Sequence, residues 1–184
     1  MRKDAQLNQE KILTAARQLF DQRGVAGVSM KDIAVAAGIG PGTLYRHYAH
    51  KSTLCLALVT DRVATFVTRY QGYLETTTDT AEMQFDIVIG AYLQIREANV
   101  ALLASVEAGE PGRLQFYESD LYRGLADLFQ RVIDGLTPGL SPQARQFRAD
   151  MLIAMLKSTS YAFQRQQRQL TPTQILTELR RLMQ

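Results

Sequence analysis

The sequence contains little cysteine and no long apolar run. Its one cysteine, Cys55, excludes an internal disulfide framework and a zinc site built from several cysteines. A small buried apolar side chain is a commoner role for such a residue than a redox-sensing thiol. No apolar stretch reaches the roughly 18 to 20 residues of a membrane span, and residues 1–11 lack the apolar stretch of a signal peptide. We therefore expect a cytoplasmic protein with no membrane contact.

Alternating runs of β-branched residues bounded by hairpin turns are also missing. Helical periodicity dominates the chain, so we predict an all-α fold. The sequence has no nucleophile elbow, no H-E-x-x-H motif and no pair of carboxylates with metal-binding spacing. An enzyme therefore has no positive support, and we expect neither a cofactor nor a metal site.

Positive charge is concentrated at the N-terminus. Residues 1–51 hold eight Lys or Arg against four Asp or Glu, a net charge of +4. The remaining 133 residues hold thirteen against fourteen, a net charge of −1. This asymmetry is typical of a protein that binds nucleic acid through its N-terminal part.

Capping signals divide the first half of the chain into helices. The first helix is predicted over about 7–23 and ends at Gly24. Ser29 and Asp32 form a short version of a capping box before a second helix, which ends at Gly38. A third helix fits between residues 40 and 48, and a long fourth one runs from 51 to about 74. A fifth helix, capped by Asp79 or Thr80, continues to about 98, with a further segment to 108.

The second half has equally clear signals. A turn is predicted at GEPG, residues 109–112, and an apolar repeat then runs from Leu114 to Leu136. Ser141-Pro142 and Thr171-Pro172 each place proline at the first helical position behind a good N-cap. The last two helices are therefore predicted over 142 to about 168 and from 172 to the C-terminus.

The stretch GIGPGTLYRHYAHK, residues 38–51, allows three interpretations. Its glycines suggest a phosphate loop, but their spacing is G-x-G-x-G, the preceding segment is helical and no Lys-Ser/Thr pair follows. His47 and His50 suggest a metal site, but further carboxylates from elsewhere would be needed. The third interpretation is the second half of a helix-turn-helix, which accounts for every residue of the stretch.

In this third interpretation a short helix has two distinct faces. Gly40 is the N-cap and Pro41 occupies the first helical position. Leu44 and Tyr48 fall on an inward face, where Phe20, Ile33 and Ala37 would hold them. The opposite face carries Gly42, Thr43 and Arg46, which are small groups and hydrogen-bond donors that could approach base edges in the major groove. Tyr45 and His47 lie at the margins of this face. Lys51 adds a cation at the start of the next helix.

The run from Val28 to Leu54, VSMKDIAVAAGIGPGTLYRHYAHKSTL, resembles the N-terminal signature of the TetR family of transcriptional regulators. The order is a capped helix, an A-x-x-A-G-I turn, T-L-Y-x-H-Y and then K-x-x-L, and the likeness covers about residues 7–58. It implies a three-helix DNA-binding domain, residues 1–51. A long fourth helix then leads into a larger ligand-binding and dimerisation domain, residues 52–184.

The resemblance also assigns roles to individual residues. Met30 and Lys31 would lie at the DNA-facing start of the second helix. The groove side would carry Pro41, Gly42, Thr43, Arg46 and His47, while Tyr45, Tyr48 and Lys51 would contact phosphates or support the motif. Gly40-Pro41-Gly42 stands where many relatives have a polar side chain, and His50 stands where a better N-cap residue is common.

A homodimer and a small-molecule effector are further implications. Two recognition helices must lie about one helical turn of DNA apart, so the expected partners are double-stranded operator DNA and a second copy. We predict a dimer interface on the last two helices. The predicted interface residues are Leu152, Ile153, Leu156, Ser160, Phe163 and Leu179. An intramolecular core face remains an alternative for these residues. The predicted effector site is lined by aromatic residues with two polar anchors, suited to a hydrophobic or amphipathic molecule; it comprises Phe66, Tyr70, Tyr92, Phe116 and Tyr161 with Arg96 and Glu107.

The function predicted is thus a dimeric repressor that a ligand releases from a palindromic operator. A helical enzyme is one alternative, and a protein-interaction adaptor with a vestigial helix-turn-helix is another.

Overall fold

The structure is a computed structural model that describes residues 2–109 and 116–184. Its helices, in chain order, are α1 (Arg2–Arg23), α2 (Met30–Ala36), α3 (Pro41–His47), α4 (Lys51–Thr76), α5 (Ala81–Ala98), α6 (Val100–Ala108), α7 (Asp120–Leu136), α8 (Pro142–Met155), α9 (Ser158–Ala162) with a π-helical turn at Phe163–Gln167, and α10 (Pro172–Met183). No strand occurs in these two ranges, so the all-α prediction is confirmed. Most of the predicted turn at 109–112, and Leu114, lie outside the described residues.

The chain forms two compact units. The first comprises Met1–Thr60 and Ala101–Phe116, and the second comprises Asp61–Val100 and Tyr117–Gln184. The first unit therefore extends past residue 51, the predicted end of the DNA-binding domain. It also includes most of α6. Helix α4 begins in the first unit and continues into the second.

The capping box fixes the start of α2 in the first unit. Ser29 Oγ accepts from the Asp32 backbone N–H at 3.1 Å, and an Asp32 carboxylate oxygen accepts from the Ser29 backbone N–H at 2.8 Å. These bonds satisfy donors that the first turn of a helix leaves open. They also hold the pKa of Asp32 below its ordinary value, with the backbone bond from Ser29 as the largest cause.

Glycine in the left-handed region makes the turns around α2 possible. Gly24 ends α1 with φ of +71°, and Gly38 follows α2 with φ of +65°. Residues with a side chain adopt these angles at an energetic cost, whereas glycine does not. The two glycines thus position α2 and α3 as a helix-turn-helix.

The core of the first unit includes helices from both of its segments. Ile12, Ile33 and Leu44 are fully buried, and Val106 of α6 belongs to the same cluster. Cys55 is also fully buried there, and burial raises the pKa of its thiol, so it stays protonated at neutral pH. A small buried side chain therefore describes Cys55 better than a reactive thiol does.

The second unit is a helical bundle in which α5 contacts α7 and α10, and α7 contacts α8. Its core is apolar and fully buried, and includes Phe85, Ile89, Leu128, Phe129 and Leu152. Thr80 caps α5, Ser141 caps α8, and Thr171 with Gln174 forms a complete capping box before α10.

Two helix predictions differ from the structure. The first helix begins at Arg2 instead of near residue 7. The single helix predicted over 142–168 is interrupted, because α8 ends at Met155 and α9 begins after Lys157. Neither glycine nor proline marks this break, so the sequence pattern did not reveal it.

Candidate nucleic-acid interface and effector region

Helix α3 is a short helix with one buried side. Gly40 is its N-cap and Pro41 its first residue, while the Tyr48 backbone N–H donates to the Leu44 carbonyl at 2.8 Å to close the last turn. Leu44 is 0 % exposed and Tyr48 8 % exposed, and both belong to the core cluster that contains Phe20 and Ile33. The predicted inward face is therefore present.

The opposite side of α3 is exposed and carries small or hydrogen-bonding groups. Pro41, Gly42 and Arg46 are exposed, and the ring of Tyr45 is 51 % exposed. The Arg46 guanidinium donates to Thr43 Oγ1 at 3.1 Å and to the Gly42 carbonyl at 3.3 Å. These bonds hold the guanidinium along the outer face of the helix. An arginine held this way still has donors for a base edge or a phosphate.

The second helix contributes an exposed side as well. Lys31 is exposed at its start, whereas Met30 is half-buried and packs against the core cluster. Val35 is 75 % exposed on the same helix. The sequence alone did not identify Val35 as part of this surface, because a valine in an apolar pattern favours a buried position.

Lys51 and Tyr48 support the motif from within. The Lys51 ammonium donates to the Val25 carbonyl, and to the Val28 carbonyl at 2.6 Å. It also lies 5.7 Å from the centre of the Phe20 ring, a cation–π contact. Of the two roles predicted for Lys51, phosphate contact or support, the geometry favours support, since its donors are used to hold the loop between α1 and α2.

The two histidines occupy different environments. The His47 ring is half-buried and lies 6.4 Å from the Tyr48 ring, while His50 is exposed just before α4. The His50 carbonyl accepts from Thr53 Oγ1 at 2.7 Å. No cluster of three potential metal ligands occurs among residues 2–109 and 116–184. A groove of about 410 Å³ runs beside α3 and the first turns of α4, lined among others by Tyr45, Arg46, His47 and Thr60.

Three of the seven predicted effector residues, Phe66, Tyr70 and Tyr92, form an aromatic cluster in the second unit. The Phe66 ring lies 4.9 Å from that of Tyr70 and 5.7 Å from that of Tyr92, and Tyr92 lies 5.1 Å from Phe129. Phe66 and Tyr92 are each 4 % exposed, so they are core residues of the chain. Phe129 was not among the predicted residues. Of the other four predicted residues, Arg96 and Tyr161 also belong to the second unit, whereas Glu107 and Phe116 belong to the first.

A polar network surrounds the end of α5. The buried Arg96 guanidinium donates to Ser158 Oγ at 3.1 Å. Glu97 accepts from the Tyr161 hydroxyl at 3.0 Å and from Arg165 Nε at 2.7 Å. Burial, and secondarily the bond to Glu97, raises the pKa of Tyr161 to about 12. The break after α8 thus orients Ser158 and Tyr161 toward α5, so Arg96 and Tyr161 have structural partners.

The predicted dimer residues divide into two groups. Leu152, Ile153, Leu156 and Leu179 are buried within the chain's own core, in line with the alternative that they form an intramolecular core face. Apolar periodicity marks a buried face without saying which chain covers it. Ser160 is exposed and Phe163 is 47 % exposed.

Other large apolar side chains are exposed on α8, on the π-helical turn at Phe163–Gln167 and on α10. Phe147 is 62 %, Met151 40 % and Leu182 64 % exposed. Met155 continues the stripe of Phe147 and Met151 by one helical turn, and it lines a cleft of about 320 Å³ together with Leu182. The sequence signal for this face was the i, i+4, i+8 spacing of large apolar residues. We use the name outer apolar face for Phe147, Met151, Met155, Phe163 and Leu182, of which all but the partly buried Met155 are exposed in the single chain.

None of the helices that the structure describes is by itself long and apolar enough to cross a bilayer, and among them only α5 and α6 taken together, as a bent pair, meet the length and composition required.

A capped helix, a glycine turn and a short helix with an outward basic face define a helix-turn-helix regulator of transcription. Residues 12–58 match the family model described as "Bacterial regulatory proteins, tetR family". An HTH-type transcriptional regulator of Staphylococcus aureus strain USA300 is 35 % identical over 175 residues, 93 % of this chain and 89 % of the relative. The chain therefore belongs to the TetR family of transcriptional regulators.

Solved structures show the same fold over almost the whole chain. The Thermus thermophilus repressor FadR, in complex with lauroyl-CoA, has a TM-score of 0.76 and 17 % identity over 95 % of this chain and 92 % of its own. Bacillus subtilis FadR, in complex with stearoyl-CoA, has a TM-score of 0.66 and 15 % identity over 95 % and 96 %. The relative and both solved structures are transcriptional regulators.

Proposed function

We propose that the protein is a dimeric repressor that binds a palindromic operator through α3 and is released by an amphipathic small molecule. The observation that carries this proposal is the outward face of α3. That face exposes Gly42 and Arg46 beside Thr43, while Leu44 anchors the helix from behind. Small groups and a guanidinium on a rigidly held helix suit contact with base edges in a major groove.

Binding to the DNA upstream of its own coding sequence tests the proposal. We expect affinity to fall steeply as salt rises, since phosphate contacts release counterions. Arg46→Ala should weaken specific binding by about 1–3 kcal/mol, the usual value of an arginine contact to a base. Arg131→Ala, an exposed arginine of α7, is the matched control and should bind like the wild type. Unchanged binding by Arg46→Ala would exclude α3 as the DNA-contacting helix.

A second copy is proposed to cover the outer apolar face. Four large apolar side chains of that face are exposed in the single chain, and a palindrome requires two recognition helices. The cleft beside Met155 and Leu182 connects the contribution of α8 to that of α10. The expected contact is isologous, with the same helices on both protomers.

The effector is proposed to be a fatty acyl thioester of coenzyme A. Two solved structures that share this fold over 95 % of the chain are complexes with lauroyl-CoA and stearoyl-CoA. Lauroyl-CoA or stearoyl-CoA should release the protein from operator DNA at micromolar concentration. Coenzyme A without an acyl chain is the control and should leave the complex intact. Release by neither thioester would overturn this choice of effector but would leave DNA binding untouched.

A further inference from the structure

Gly42 is a glycine that nothing in the chain itself requires. Its φ lies outside the left-handed region, unlike that of Gly38 at +65°. A Cβ built on Gly42 would meet no heavy atom within 4 Å, so the fold has room for a side chain there. Glycine in a helix is also less favourable than alanine, because more backbone freedom is lost on folding. The chain therefore keeps a locally unfavourable residue without a conformational or packing reason inside the molecule.

The absence of a side chain at Gly42 leaves the helix backbone accessible on the outward face of α3. Gly42 precedes Arg46 by four residues, so the two share one face of the helix. The Arg46 guanidinium lies over this turn, bonded to the Gly42 carbonyl and to Thr43 Oγ1. Gly40 is likewise clear of any heavy atom within 4 Å. The outer surface at the start of α3 therefore has no side chain at residues 40 and 42, beside the ring of Pro41 and the Thr43 and Arg46 side chains.

We propose that Gly42 sets the distance at which α3 meets the floor of the DNA major groove, and that this distance determines whether Arg46 and Thr43 reach base edges. The inference rests on the proposed function, because it assigns the occupant of the bare surface as operator DNA. A side chain at residue 42 would stand between the helix backbone and the bases. It would move Arg46 outward and weaken its hydrogen bonds, which depend steeply on distance.

Two pairs of substitutions separate this role from an effect on folding. Gly42→Ala and Gly42→Leu add side chains of increasing size, and both residues are good helix formers. Gly72→Ala and Gly72→Leu are the matched controls, since Gly72 is an exposed glycine inside α4 whose Cβ would also meet nothing within 4 Å. Operator affinity is measured by fluorescence anisotropy on the full-length protein, with scrambled DNA as the reference. The melting temperature of each variant is measured in parallel.

Substitutions at residue 42 should preserve or raise thermal stability and at the same time weaken operator binding. The melting temperature should stay level or rise by about 1–3 °C in all four variants. Operator affinity should fall about tenfold for Gly42→Ala and about a hundredfold for Gly42→Leu, whereas the Gly72 variants should bind like the wild type. Wild-type affinity in Gly42→Leu would overturn the inference while leaving the proposed function standing. Failure of the wild type itself to prefer operator over scrambled DNA would overturn both.

Discussion

Helices α3 and α8 begin alike and differ in what their outer sides carry. Both have proline at the first position, and both bury leucine completely, Leu44 in α3 and Leu152 in α8. The exposed side of α3 is small and basic, whereas that of α8 is apolar, with Phe147 62 % exposed. A surface that meets DNA must offer donors and allow close approach, whereas one that meets protein gains from large apolar groups. The difference indicates two kinds of partner for two helices built on the same local plan.

Truncation of the buried leucine in α3 or in α8 should destabilise the fold to a similar extent. Leu44→Ala and Leu152→Ala should each lower the free energy of unfolding by about 2–5 kcal/mol, because each leaves a cavity in a fully buried site. Chemical denaturation measures this loss. Only Leu44→Ala should also abolish operator binding by protein that is still folded, since α3 carries the face proposed to contact DNA and α8 does not.

A charge introduced on the exposed side of α8 should disrupt dimerisation. Phe147→Glu should raise the dimer dissociation constant by about a hundredfold, as expected for a central apolar contact. Analytical ultracentrifugation provides the measurement. Met83→Glu, at a 50 % exposed apolar residue of α5, is the matched control and should leave the dimer intact. A Phe147→Glu protein that remains dimeric would place the interface elsewhere.

The two capping boxes should contribute about equally at neutral pH. Ser29→Ala, before α2, and Thr171→Ala, before α10, should each cost about 1 kcal/mol of stability, because each removes a side-chain acceptor for a backbone N–H. Thermal unfolding followed by circular dichroism measures both. A negligible loss for either variant would mean that water replaces the cap at that helix.

The two capping boxes should respond differently to acidic pH, because one contains the titratable Asp32 and the other contains the neutral Gln174. The folded-state pKa of Asp32 lies below its ordinary value of 3.8, so its contribution is complete above that value. It is lost as the pH falls through the lower pKa of the folded state. The stability difference between wild type and Asp32→Asn should therefore shrink between pH 5 and about pH 2, whereas that for Gln174→Ala should stay constant. A constant difference for Asp32→Asn would show that its carboxylate does not stabilise the box.

The helix-turn-helix could be predicted almost residue by residue because its signals are local. Ser29 with Asp32, Gly38 and Pro41 each act within one helical turn, so their spacing alone indicates the geometry. The anchoring of the loop before α2 by Lys51 could not be predicted, since it joins residues that lie far apart in sequence.

The C-terminal helices were harder to predict for a physical reason. The stripe that contains Leu152 and Leu156 is apolar, but burial inside a chain and burial against a second chain favour the same residues. The break at Lys157 follows from contacts with α5 such as Arg96 with Ser158, and no local signal encodes such contacts. The exposed fraction of Phe147 and Leu182 was needed to identify the outer apolar face.

A footprint of the protein on the DNA upstream of its coding sequence tests the central claim most directly. Wild-type protein should protect two half-sites whose centres lie about 34–36 Å apart, one turn of the double helix. Arg46→Ala should lose both at the same protein concentration, while Arg131→Ala should keep them. Absence of a specific footprint, or one that Arg46→Ala leaves unchanged, would contradict the account.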